Sequence, residues 1–145
     1  MPADLVDDLT HGVLASLAYG GVGATVLAGG YAVLDMLTPG SLRHLVYAQR
    51  NRGAAILATA HLAALATVIT TAILTSGDSL RTGVLDSAVY GLLGVVLLAV
   101  AFKVLDALTP GQLGSLMMEE PTHPAVWVTS AFQLGLGAVL AAAIS

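Results

Sequence analysis

Asp35-Met36-Leu37-Thr38-Pro39-Gly40-Ser41-Leu42 recurs as Asp106-Ala107-Leu108-Thr109-Pro110-Gly111-Gln112-Leu113, 71 positions further along, and each copy follows directly on an apolar run. With residue n laid on n + 71 without a gap, 17 of the 31 positions from Gly12 to Leu42 are identical, among them Gly12/Gly83, Ser16/Ser87, Tyr19/Tyr90, Gly20/Gly91 and Gly23/Gly94. Shared hydrophobicity alone would not hold single glycines and tyrosines in register. The chain reads as a tandem duplication of a two-span unit, repeat one over about residues 11–74 and repeat two over about 82–145.

Hydrophobic residues fill 57% of the 145 positions, charged residues only 10%, and mean hydropathy is +0.87. A soluble domain carries roughly 25% charged residues, so this composition belongs in lipid. Four apolar stretches, Val13–Leu34, Gly53–Leu74, Val84–Leu105 and Pro124–Ile144, each approach the ~20 residues a helix needs to cross a bilayer. They are too long and too uniformly apolar for barrel strands. The expected fold is therefore an all-α membrane protein of four transmembrane helices. Two spans per unit make both repeats enter the membrane in the same direction, as parallel repeats about a pseudo-twofold axis along the membrane normal.

Arg43, Arg50, Arg52 and Lys103 all fall on the side of the Thr-Pro-Gly loops, and only Arg81 falls on the other. The positive-inside rule places those loops in the cytoplasm and both termini outside. A net charge of −4 without a basic cluster beyond the three arginines argues against nucleic-acid binding. The chain has no cysteine, which excludes disulfides, thiolate metal sites and cysteine nucleophiles. Its first residues are acidic where a cleavable signal would be basic, so the first run reads as a retained span.

Gly12, Ser16, Gly20, Ala24, Ala28 and Ala32 recur every fourth residue in the first helix, and Gly83, Ser87 and Gly91 repeat the pattern in the third. Small residues at this spacing let helix backbones approach closely, so the two helices are expected to cross along these stripes, within one chain or between chains. In the loops, Thr38-Pro39-Gly40 and Thr109-Pro110-Gly111 suit a type II turn, or an N-cap threonine with proline at the first helical position. Leu42, Leu45 and Val46, matched by Leu113, Leu116 and Met117, predict a short amphipathic interfacial helix after each turn.

Asp35 and Asp106 sit at helix C-termini, where a carboxylate opposes the macrodipole and needs a partner. Lys103 and the arginines are the expected ones. Two readings stand open: a clamp that fixes each turn, and a pair of carboxylates at the mouth of a cation path. His61, deep in the second span, and Gln133, deep in the fourth, are offset by one repeat position, close enough in register that they could meet across the pseudo-axis. Either a structural hydrogen bond or a proton or ion site would account for them. His44, Glu119, Glu120 and His123 follow no known ligand spacing, so no metal site, cofactor or catalytic constellation is expected.

The doubled Asp-x-Leu-Thr-Pro-Gly-x-Leu, at the end of the first helix of each two-helix unit, resembles the YjfL family of small bacterial membrane proteins, domain of unknown function 350. That resemblance implies a four-helix bacterial inner-membrane protein with paired repeats, in a polyamine or envelope-stress context. Family members often approach the second helix of each repeat with an acidic residue and then Asn. Here Gln49-Arg50-Asn51-Arg52 keeps the Asn in the first copy and Glu119-Glu120-Pro121-Thr122 keeps the acids in the second. The preferred function is a non-enzymatic membrane subunit that forms homo-oligomers in the lipid bilayer or recruits a cytoplasmic protein partner. The alternative is a channel or carrier for a small cation.

Overall fold

The computed structural model describes residues 3–77 and 79–145, the side chains from Val6 onward. In chain order it comprises α1 (Ala3–Leu37), a π-helical turn (His44–Ala48), α2 (Arg52–Leu74), α3 (Leu80–Leu108), α4 (Leu113–Glu119) and α5 (Pro124–Ile144). Four of these helices, α1, α2, α3 and α5, are long and apolar enough to cross a membrane. The four expected spans are all present. Helix α1 starts earlier than the apolar run suggests, because Asp7 and Asp8 in its first turns complement the positive helix N-terminus instead of breaking it.

Helix α2 packs most extensively on α5, and α1 on α3, while α2 also lies against α3. Van der Waals fit has to hold these contacts, since lipid supplies no hydrophobic drive between helices. The tightest crossing joins α2 and α5. A Cβ on Gly137 would stand 2.6 Å from the Cβ of Ala64 and 2.8 Å from its carbonyl oxygen, so the two backbones touch.

The stripe expected to bind α1 to α3 behaves differently in its two copies. Gly83, Ser87 and Gly91 of α3 are buried; Gly83 lies under the Tyr19 hydroxyl, and Val26 and Ile69 fill the space beside Gly91. Gly12, Ser16 and Gly20 of α1 are exposed, and nothing lies within 4 Å of a Cβ built on either glycine. The expectation is thus corrected for α1: its contact with α3 runs through Tyr19, Val26 and Gly30. Geometry explains the divergence. A four-residue step advances about 40° beyond one full turn, so such a stripe winds away from a single neighbour. Helix α3 has α1, α2 and α5 around it to follow the winding, whereas α1 stands at the rim against α3 and α2.

At the other expectation, the turns, Gly40 (φ +87°) and Gly111 (φ +96°) occupy the left-handed region, and the Ser41 and Gln112 amides donate to the Thr38 and Thr109 carbonyls. These are type II turns, with glycine where φ must be positive. The threonine hydroxyls are not N-caps; they donate back to the Leu34 and Leu105 carbonyls at 2.8 Å. The second loop forms the expected short helix, α4. The first forms a π-turn, closed by the Gln49 amide on His44 O (3.1 Å) and the Asn51 amide on Leu45 O (2.9 Å). Neither element lies apart from the bundle: Leu42, Leu45, Leu113 and Met117 are buried with Leu34, Leu57, Phe102 and Val126 and plug its end.

Candidate functional site

Both loops are pinned by the aspartate that precedes them. Asp35 Oδ1 accepts the Arg43 amide at 2.7 Å and the Ser41 hydroxyl at 3.1 Å, and the Arg43 guanidinium stands 3.9 Å from Oδ2. Asp106 is buried and its Oδ1 accepts the Leu113 amide at 2.8 Å. Leu113 begins α4, whose N-cap Gln112 offers no side-chain bond, so Asp106 satisfies an orphan helix donor from seven residues away. The expected pairing with Lys103 does not occur. Among the described residues Arg43–Asp35 is the only ion pair. Lys103 is exposed beside Val33 and Leu37 in the furrow between α1 and α3, and Asp106 has its partner in the backbone ahead of it.

Between the loops lies Asn51, whose neighbours in the sequence give no sign of a role across the bundle. Asn51 is buried; its Oδ1 accepts the Ala54 amide at 3.0 Å as the N-cap of α2, and its Nδ2 donates to Met117 O in α4 at 2.7 Å. The N-cap half was legible, since Asn directly precedes an apolar run. The cross-loop half was not, because its acceptor is a backbone carbonyl. Two glycines permit the loops to touch: Gly114 lies against Pro39, where a Cβ would be 2.8 Å from its carbonyl oxygen, and Gly53 lies against the Pro121 carbonyl. Thr38, Pro39, Gly40, Thr109, Pro110 and Gly111 are thereby gathered at one end of the bundle, fused into one cap. Arg43, His44, Arg50, Arg52, Glu119 and Glu120 are exposed around it. At the opposite end the Tyr19 and Ser76 hydroxyls lie 3.2 Å apart.

Within the spans, His61 and Gln133 meet. Nδ1 of His61 is 3.3 Å from Oε1 of Gln133, whose Nε2 donates to Leu98 O of α3 at 3.1 Å. Both side chains are fully buried. The remaining histidines serve the loops: His44 Nδ1 is 3.4 Å from Gln49 Nε2, and His123 Nδ1 caps α5 by accepting the Ala125 amide at 3.2 Å. Among the described residues no three of His, Asp and Glu come together to hold a metal ion.

Residues 8–144 match the family model described as Domain of Unknown Function (DUF350). The chain is 41% identical over 140 residues to a UPF0719 transmembrane protein of Mycolicibacterium paratuberculosis, a match covering 97% of this chain and 93% of that protein. It is 40% identical over 137 residues to a UPF0719 transmembrane protein of Mycobacterium bovis, covering 94% and 90%. No solved structure matches it. With four membrane-capable helices and a family match running from the first helix to the last, the chain is a multi-pass membrane protein that belongs to the DUF350 family.

Proposed function

We propose that the protein is a non-enzymatic membrane subunit that self-associates in the bilayer through α1 and offers its fused loop cap to a cytoplasmic partner. The observation that carries this reading is the bare stripe of α1. In α3 the same residues, in the same register, are filled by Tyr19, Val26 and Ile69 of neighbouring helices. In α1 they are open, and lipid chains place no demand for glycine or serine at such a spacing. A helix of a second copy, presenting branched side chains as α1 and α2 do to α3, supplies the missing contact.

The cation-path alternative has less behind it. Both aspartates are engaged by the loops that follow them, and Leu34, Leu57, Leu65, Leu98 and Phe102 fill the space between the spans. The excess of arginine around the cap supports its cytoplasmic placement in a bacterial inner membrane. The 71-residue register supports an origin by duplication, with the halves about a pseudo-twofold axis.

Single cysteines test the self-association directly, because the chain has none of its own. Ser16→Cys, Gly20→Cys and Ala24→Cys should each give a cross-linked dimer in native membranes, and Val139→Cys, exposed on α5, should not. Absence of dimer from all three α1 positions, with the protein monomeric in nanodiscs, would overturn the reading.

A further inference from the structure

All four membrane-spanning helices meet at one polar node. The Leu98 carbonyl of α3 can only accept, so the Gln133 amide cannot be turned round without setting Oε1 against another oxygen. Oε1 therefore faces His61, and since it too can only accept, the imidazole proton resides on Nδ1. That leaves Nε2 of the neutral ring as a bare acceptor. It is buried and has no hydrogen-bond partner.

What Nε2 faces is α1 at Gly30. A Cβ there would stand 3.8 Å from Nε2 and would collide with a Leu65 methyl group, so only glycine lets the α1 backbone come this close. Gly30 lies inside α1, where its amide is spent on the carbonyl four residues earlier, so the polar group it can offer the ring is its own carbonyl, which keeps a free lone pair. An acceptor on the ring thus looks at an acceptor on the α1 backbone. One particle resolves that arrangement without needing room, and it is a proton.

We propose that His61 is a proton-binding site within the membrane, taking a proton from water on Nε2 and holding it against the Gly30 carbonyl. The imidazolium then directs Nδ1–H to Gln133 and Nε2–H towards the α1 backbone at Gly30, with α3 anchoring the amide. No ionised side chain opposes this. The charged residues of the packed helices lie towards their ends: Asp7, Asp8 and Asp35 on α1, Arg52 on α2, Arg81, Asp86, Lys103 and Asp106 on α3, and none on α5. Tyr31, beside Gly30, is the nearest titratable residue along α1, and Ser130 lies one turn before Gln133. Each has a buried hydroxyl without a partner on the cap side of the node. The inference concerns the interior of one chain and stands or falls apart from self-association.

Imidazole nitrogen NMR of the full chain in lipid nanodiscs is the test. Substituting His11→Gln, His44→Gln and His123→Asn leaves His61 as the sole histidine, with asparagine keeping the α5 cap. Its signals at neutral pH should be those of the Nδ1–H tautomer, the minor form of free histidine, and should change to the doubly protonated form as pH falls from about 8 to about 5. Gln133→Leu, which releases the ring from its acceptor, should move the neutral signals to the Nε2–H tautomer. An Nε2–H ring in the otherwise native chain, or a ring that stays neutral down to about pH 5 with the fold intact, would overturn the proposal.

Discussion

The amide nitrogen of Asn51 donates to the carbonyl of Met117 at 2.7 Å, joining two loops that lie 66 residues apart in the chain. One side chain caps α2 and latches the two Thr-Pro-Gly loops together, so the cap behaves as a unit.

Asn51→Ala removes both bonds and leaves Met117 O buried without a donor. A lost N-cap costs about 0.5–2 kcal/mol and a stranded buried polar group about 1–3 kcal/mol, so a fall of roughly 2–4 kcal/mol is expected in denaturant unfolding in detergent. Asn51→Asp keeps the cap but turns a carboxylate oxygen on the Met117 carbonyl, and should be no more stable than the alanine variant. An aspartate variant as stable as the parent would show that the latch contributes nothing.

The three glycines Gly20, Gly91 and Gly137 should respond to leucine in graded fashion. Gly137→Leu must part the α2 and α5 backbones, and Gly91→Leu must displace Val26, whose methyl groups would lie 3.1 and 3.2 Å from a Cβ. Overpacking costs about 1–3 kcal/mol in cores, so both should lower thermal stability in detergent, Gly137→Leu more. Gly20→Leu meets open space and should leave the monomer's stability unchanged while abolishing the α1 cross-link. Equal destabilisation by all three would mean that α1 is turned differently about its axis.

Asp106→Ala should cost about 1–3 kcal/mol by stranding the Leu113 amide, and Asp106→Asn, which retains an acceptor oxygen, should cost less. Asp35→Ala should be milder than Asp106→Ala, because its loop is more open to water. Lys103→Met should stay within about 0.5 kcal/mol of the parent and add independently to Asp106→Ala in a double-mutant cycle. Measurable coupling between Lys103 and Asp106 would contradict the geometry of the cap.

Cysteines at Ser41 and Gln112 should be blocked only by reagents that reach the cytoplasm, and one at Ser79 only from outside. The opposite pattern would invert the topology inferred from the arginines.

Much of this architecture is legible in the sequence for a physical reason. Length and hydropathy determine that a segment crosses lipid, and glycine after Thr-Pro determines a positive φ, so the four spans and both turns could be read from residues alone. The meeting of His61 with Gln133 was legible too, because a buried amide and imidazole must find partners. The buried face of α1 was not. Gly20 and Gly91 are the same residue in the same register, and what separates them is the number of neighbouring helices, which no local pattern encodes. The partner of Asp106 was hidden for a related reason: charge invites the eye to Lys103, whereas the bond goes to a backbone amide that every residue but proline carries. Asn51 announced its cap and concealed its latch in the same way.

The segment from Thr75 to Ser79 is the only covalent tie between the halves, and the helices of the two halves are packed on each other. Helix α2 is seated on α5, α1 on α3, and Asn51 and His61 each reach across to the other half. Severed there, residues 1–76 and 79–145 are two fragments that each lack the surface the other provides. Expressed together from separate messages they should copurify as a stable pair, and expressed singly each should be cleared by proteolysis. Stable solitary fragments would show that the halves are self-sufficient. In this chain the peptide bond keeps the two partners at equal dose, and the contacts between them make the fold.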